Sequence, residues 1–525
     1  MARARLAVLG AVALAVAGCT HGSSGQHPAG PSASGAGSPG QAAIGQPPAL
    51  HWHLCSQNGA TLLCARLQVP LDYRHPGGRK ILVALSEVPA TAPASQRQGI
   101  LLVNPGGPGG SGLSTASFVA QGLNPAAAAQ YDIIGFDTRG VGSSVPALHC
   151  DPGFFARTRP DYVPANAAAE RVLIGRARAY AADCQKRYGW LLPYLTTQNI
   201  ARDMDQIRAA TGQQKLNYFG YSYGTYLGQV YATLFPHRVR RMVLDSTVDP
   251  TGAWYADNIA QDYAFQGRIQ AFFAWAARYQ GAYRLGTTPA QVRRSWYAAR
   301  ARLAAHPAAN PAGPAIGPDE FDDMFLSGGY YNGYWPMLAT GLAAYLHAGS
   351  ARQLVSQYVP LGRQNLNESQ FENEFAVYNA VECADAPWPR NWARWNSDAR
   401  RVYRTAPFEA WDNTWFNAAC AFWPLRGPAS PPRIGAPRLP GILMLQGTLD
   451  AATPYAGAQN AHRLLPTARM VVVSGGGNHG QSLAYPANHC VDGYLNRYLA
   501  TGALPTGTGL VNATCQALPA PLPSG

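Results

Sequence analysis

The stretch from Asn217 to Tyr226, Asn-Tyr-Phe-Gly-Tyr-Ser-Tyr-Gly-Thr-Tyr, constrains the fold of this chain more than any other. It reads as a short apolar strand running into Gly-x-Ser-x-Gly, and apolar residues at helical spacing follow from Thr225 to Phe235. A strand that turns at once into a helix lifts the serine above the sheet edge, the geometry of a nucleophile elbow. Gly220 and Gly224 suit that turn, because side chains there would strike the neighbouring strand and helix while the serine holds a strained backbone. Ser222 is therefore the candidate nucleophile. In a chain with 55 glycines the same five residues also arise as an ordinary turn, so the reading depends on the segments around them.

Those segments alternate as strands and helices do. Leu67 to Asp72 and Ile81 to Val88 alternate in polarity, with a turn from Asp72 to Gly78 between them. Gly99 to Val103 is a continuous apolar run, the pattern of a strand buried on both faces, and it empties into Asn104-Pro105-Gly106-Gly107-Pro108-Gly109-Gly110-Ser111-Gly112. Glycines in that place let the backbone approach a ligand and fit a loop that donates one oxyanion-hole N–H, from Gly106 or Gly107, with the second from Tyr223. No Gly-Lys-Ser/Thr follows, so a phosphate loop is not indicated. Tyr131 to Phe136 is the next buried strand; Asp137 and Arg139 beyond it lie at a carboxyl strand end, where catalytic groups can sit, and are expected instead to form a structural ion pair that shapes the loop. Asn199 to Ala210 has helical spacing, and Arg241 to Leu244 is a further strand ending at Asp245.

From Pro250 to about Pro424 the alternation stops and the chain becomes aromatic and helical in character, which reads as an insertion capping the site. Sheet patterning resumes at Gly441 to Leu445, and Asp450 comes after it. Met470 to Val473 reads as the last strand and ends in Ser474-Gly475-Gly476-Gly477-Asn478-His479-Gly480. A serine hydroxyl needs a base within hydrogen-bond reach and a third group to orient that base. The order Ser222, Asp450, His479 meets this need in the sequence of the strand-elbow hydrolases and differs from the two other common serine-protease orders. Asp245, which also ends a strand, is the competing acid. His489, beside Cys490 in a helical stretch, is the competing base.

The N-terminus bears on compartment. Arg3 and Arg5 precede an apolar run from Leu6 to Val16, too short for a permanent membrane span, so residues 1–18 read as a signal peptide. Val16-Ala17-Gly18-Cys19 resembles a lipobox, with Cys19 lipidated, and residues 19–48 then form a Gly, Ser, Pro and Ala tether without the apolar content to fold. The expected location is the outer face of a bacterial membrane. Setting Cys19 aside, eight cysteines remain, an even number suited to an oxidising compartment. Spacing pairs Cys55 with Cys64, Cys150 with Cys184, Cys383 with Cys420, and Cys490 with Cys515, although other connectivities stay open. The net charge of +13 is arginine scattered along the chain, since Lys80, Lys186 and Lys215 are the only lysines; no basic run or motif points to nucleic acid. No metal motif appears, His51 and His53 read as ordinary surface or strand positions, no cofactor is implied, and a monomer is expected.

Taken together, Asn104 to Gly112, Gly135 to Gly140, Gly220 to Gly228, Cys420 to Pro424, Asp450 to Tyr455 and Gly477 to His479 resemble the tripeptidyl aminopeptidase and proline iminopeptidase group of α/β-hydrolases, notably exported actinobacterial members. The resemblance covers nearly all of the mature chain. It implies an α/β fold with a mostly parallel, doubly wound sheet, a core of residues 49–248 and 425–525, and a helical cap of residues 249–424. It also implies the same triad, and a C-terminal extension closed by Cys490 and Cys515. In this family cap carboxylates recognise the free α-amine of a peptide, which points to Glu382 first and Asp385 second; pairing of both with cap arginines is the alternative. Asn104-Pro105 stands where proline iminopeptidases carry a histidine, which favours the tripeptidyl branch. The implied activity is release of short peptides from free N-termini of peptides or proteins. An esterase using the same triad, or a binding protein with a vestigial one, are the other readings.

Overall fold

The structure is a computed structural model that describes residues 47–523, except 157, 158 and 312. The expected signal peptide, Cys19 and nearly all of the tether lie outside the described residues.

Ten strands form one sheet: β1 His53–Gln57, β2 Ala60–Pro70, β3 Lys80–Val88, β4 Ile100–Asn104, β5 Asp132–Phe136, β6 Leu216–Tyr221, β7 Val239–Asp245, β8 Ile442–Gly447, β9 Ala468–Ser474 and β10 Ala513–Gln516. Their spatial order is β1-β2-β3-β5-β4-β6-β7-β8-β9-β10. The first three strands run antiparallel to their neighbours, and the sheet is parallel from β5 to β10. Every residue of β4 and β8 is buried, which is why both read as unbroken apolar runs. Within each strand the side chains alternate between two cores. Leu102, Tyr218 and Met444 face one layer of helices, and Leu101, Phe219 and Leu443 face the other. The expected last strand, Met470 to Val473, is not last. β10 adds to its far edge in parallel, carrying Cys515 into the sheet opposite Val473. A four-residue strand of Ala-Thr-Cys-Gln has no apolar period to announce it.

The register brings the strand ends into line. Asn104 pairs with Gly220, Tyr221 with Asp245, Asp245 with Leu445, and Gly447 with Val473. The carboxyl ends of β4, β6, β7, β8 and β9 are therefore level, and the loops they launch all open on one edge, where open parallel sheets bind ligands.

Between β7 and β8 the chain forms helices, among them α2 Tyr255–Arg278, α3 Pro318–Tyr330, α4 Glu368–Asp385 and α5 Ala410–Asn417, while α1 Tyr223–Leu234 is the helix of the elbow. Phe272, Trp275, Trp296, Phe325 and Trp335 pack into a core of their own. Helix α4 behaves differently: Phe375, Val377, Ala380 and Val381 join the core that backs the sheet. All four expected disulfides are present.

Candidate active site

Ser222 leaves β6 with φ 54° and ψ −126°, then α1 begins at Tyr223. Its N–H donates to the Asp245 carbonyl at 3.0 Å, so the elbow is tied to β7. The glycines explain themselves sterically. A Cβ at Gly224 would lie 2.8 Å from Asn104 Oδ1, and one at Gly106 would lie 2.8 Å from both Ser222 Cβ and the Tyr221 carbonyl. Gly106 also has φ 105°, a backbone that side-chain-bearing residues rarely adopt.

The two oxyanion candidates separate. The Gly106 N–H donates to Asn104 Oδ1 at 3.0 Å and is spent inside the loop. Gly107, with Ser222 and Tyr223, borders the main cavity, and Tyr223 is the first helical residue, whose N–H has no partner within the helix. The Gly106 assignment is thus corrected in favour of Gly107.

Beyond β8, Asp450 accepts hydrogen bonds from the Ala452 and Thr453 N–H groups at 3.1 and 3.2 Å and from Thr453 Oγ1 at 3.1 Å. Beyond β9, His479 Nδ1 lies 3.0 and 3.1 Å from the two Asp450 oxygens. A carboxylate only accepts, so the proton sits on Nδ1 and Nε2 presents its lone pair. Burial alone would push the imidazole pKa down; the Asp450 carboxylate beside it, with the Asp245 charge behind, raises it above its ordinary value. The His479 loop packs on the elbow strand, with Gly480 against the Tyr221 ring.

Asp245, the competing acid, does not meet the imidazole. It accepts from the Gln481 and Ser482 N–H groups at 2.8 and 2.9 Å and from Ser482 Oγ at 2.5 Å, holding the loop that carries His479. Burial raises its pKa to about 6 against those donors. The expected pair of Asp137 with Arg139 is absent. Arg139 forms a buried fork with Asp203 at 2.6 and 2.7 Å, while Asp137 accepts from Ser111 Oγ at 2.6 Å, Gly112 N–H at 3.0 Å and Ser143 N–H at 2.7 Å. Both are structural, but Asp137 braces the glycine loop and Arg139 anchors the helix Thr197–Ala210.

A cavity of about 310 Å³ opens from Ser222. Glu382 lines it, 3% exposed, and among the described residues its Oε2 has no hydrogen-bond partner. Burial pushes its carboxyl well above the ordinary range; the Tyr378 hydroxyl only partly offsets this, and the Asp257 and Asp385 charges add to it. Asp385 does not line the cavity. It accepts from the Thr197 N–H at 2.9 Å and from Thr197 Oγ1 at 2.5 Å, and Thr197 Oγ1 in turn lies 2.7 Å from the Tyr223 hydroxyl. Its expected place beside Glu382 is corrected to that of a support beneath the oxyanion residue. Among the described residues neither forms an ion pair with a cap arginine, the alternative for both.

The structure adds carboxylates that sequence reasoning missed: Asp257, Glu374, Glu409 and Asp412 all line the same cavity. Burial raises all four, to about 7 at Glu374, and Asp257 Oδ2 has no hydrogen-bond partner among the described residues. Arg159 and Tyr162, from the stretch between β5 and β6, line the cavity as well, and both act on Asp412 to lower its pKa against burial. Asp412 sits in the aromatic run Trp411 to Phe416, where a helix-spaced acid looks like a surface residue; only its 7% exposure marks it out.

A family profile described as alpha/beta hydrolase fold matches residues 99–484. A tripeptidyl aminopeptidase of Streptomyces coelicolor is 41% identical over 90% of this chain and 87% of its own length. The serine protease Hip1 of Mycobacterium tuberculosis is 29% identical over 95% of each chain, and carboxylesterase B of the same species is 34% identical over 87% of this chain and 89% of its own. The chain therefore belongs to the α/β-hydrolase family, in the group that holds the Streptomyces tripeptidyl aminopeptidases.

Proposed function

We propose that this protein is a serine exopeptidase that releases short peptides, tripeptides foremost, from the free N-termini of peptides or proteins. Ser222 Oγ attacks the scissile carbonyl as His479 Nε2 takes its proton, and Asp450 stabilises the imidazolium that forms. The oxyanion is received by the N–H groups of Gly107 and Tyr223. His479 then returns the proton to the leaving amine, and water enters by the same base to free the peptide from Ser222.

One observation carries the reading: Ser222 shares its cavity with the buried carboxylates of Glu382 and Asp257, each of which keeps an oxygen with no hydrogen-bond partner among the described residues. A buried carboxylate gains most from a charged donor, and a peptide's ammonium is one. An internal peptide segment has no such group, which restricts the site to chain ends. The names of the Streptomyces relatives agree. Carboxylesterase B supports the second reading, an esterase with the same triad.

The two separate in one assay, hydrolysis of a tripeptide amide dye, its N-acetylated twin and a short-chain acyl ester by wild type and Ser222→Ala. The free-amine peptide should be cut at least about tenfold better than its twin, as a single charge-assisted hydrogen bond supports, and Ser222→Ala should be inert. Turnover of the ester alone overturns the peptidase reading.

We extend the proposal to export and anchoring, with cleavage after Gly18, a lipid on Cys19 and residues 19–48 as a tether. The hydrolase core then comprises residues 49–248 and 425–525, with residues 249–424 as its cap. Cells fed an alkynyl fatty acid should label the wild type and not Cys19→Ser; equal labelling refutes the anchor.

A further inference from the structure

His479 is held from two sides, and only one of them is the sheet. From below, Ser246 Oγ accepts from the Gly480 N–H at 2.8 Å and Asp245 accepts from the next two N–H groups. From above, the turn that ends α3 reaches down. The His479 N–H donates to the Tyr330 carbonyl at 2.8 Å, and the Asn332 N–H donates to Asn478 Oδ1 at 2.9 Å. The Tyr330 ring stands edge-on to the imidazole at 5.4 Å. Two reciprocal hydrogen bonds thus bracket the base, one on its own backbone and one on its neighbour's side chain.

The turn is itself gripped by a buried arginine of α2. Arg268 Nε donates to the Gly329 carbonyl at 3.1 Å and Nη2 donates to Asn332 Oδ1. Its guanidinium covers Gly477, where a Cβ would collide with it, and it lies over the Trp335 ring at 5.3 Å. So the same side chain touches the turn above His479 and the loop two residues before it. Arg268 is 4% exposed, and among the described residues no carboxylate forms an ion pair with it. Burial lowers its pKa to about 10, and the Asp450 charge is what acts against that. A buried cation without an ion pair is costly, and an apolar residue would fill the space at less cost if packing were all that was needed.

We propose that Arg268 and the turn from Gly329 to Asn332 are a positioning device for His479, so that the base is aligned on Ser222 only while the helical insertion is seated on the sheet. This rests on the reading of His479 as the base. Arg268 is a positioning residue and touches no substrate group, as it does not line the cavity. Misplacement of a catalytic group by about 1 Å costs on the order of 100-fold in rate. The loss should therefore fall on kcat and spare KM.

The test uses the full chain with the tripeptide amide dye and four variants: Arg268→Gln, Asn478→Ala, the two combined, and His479→Ala. Arg268→Gln and Asn478→Ala should each lower kcat by roughly 10- to 100-fold with KM within about twofold. The double variant should lose no more than the worse single one, because both act through one bracket. Asn478→Ala removes the one side-chain amide that accepts from the turn and keeps the test open where Arg268→Gln does not fold, which near-UV circular dichroism reports. A raised KM with kcat intact, or wild-type kcat in both folded variants, overturns the inference. Wild-type activity in His479→Ala instead overturns the triad reading on which it stands.

Discussion

Ser222 holds φ 54° and ψ −126°, a conformation that costs of order 1–3 kcal/mol and persists only where the surroundings enforce it. Gly106, Gly220 and Gly224 are those surroundings; Gly220 and Gly224 were legible because only glycine leaves room there, whereas the contact of Gly106 with Ser222 was not. Which N–H groups stay free was not legible, since that depends on Asn104 folding back onto Gly106. The pH dependence of the site comes from His479. The imidazole must be neutral to accept the Ser222 proton, and its pKa is raised by Asp450 and Asp245 against the effect of burial. The acid limb of kcat/KM should therefore lie above the ordinary histidine value of about 6.5. Asp450→Asn removes the larger raising charge and leaves burial in force, so the limb should move to lower pH while kcat drops about 10⁴-fold. A pH–rate series on both proteins measures this, and an unmoved limb would assign the acid limb to another group.

Helix α4 decides how the cavity is charged. Its capping box, Asn367 with Gln370, starts it as the sequence pattern allows, but its burial is nearly all-round from Phe375 to Asp385, with no single apolar stripe. Phe375 and Val381 pack behind the sheet, Glu382 turns into the cavity, and Cys383 is pinned to Cys420 just beyond α5. Glu382→Gln should raise KM for free-amine peptides by roughly 10- to 100-fold, the worth of one hydrogen bond to a charged group, and leave the N-acetylated twin unchanged. Replacing Cys383 and Cys420 together by serine should destabilise the fold by about 2–5 kcal/mol and raise KM in the same direction, because the bridge sets where Glu382 stands. Denaturant unfolding beside steady-state kinetics checks both, and equal KM changes on the two substrates would remove Glu382 from amine recognition. Asp385, three residues on, escapes this role because the helix turns it toward Thr197.

Over the whole molecule, buried carboxyls set the pH response of stability. Burial raises Asp262, Glu374 and Asp385 to about 7 and Asp137 and Asp245 to about 6, against about 4 in an unfolded chain. The folded state then binds more protons than the unfolded one between those values, so this stability is full below pH 4 and is lost as pH rises through 6 to 7. The raised His479 pKa acts with the same sign. The ligand-free protein should melt higher at pH 5 than at pH 8 in scanning fluorimetry; the reverse order would mean these carboxyls are ionised and paired in solution. The elbow, the order of serine, acid and histidine, the glycine loop, the disulfides and the helical interruption of the sheet could all be read from the chain before it folds. They are local or ordered along the chain, and periodicity, glycine sterics and cysteine spacing report such things directly. Packing in three dimensions was needed to bring Arg139 to Asp203, Asp385 beneath Tyr223, Glu409 and Asp412 to the cavity beside Glu382, and Arg268 to the His479 loop. Each of these joins residues tens to hundreds of positions apart, and one sequence carries no signal for which buried charge will face which, because burial and pairing arise only when the helices pack.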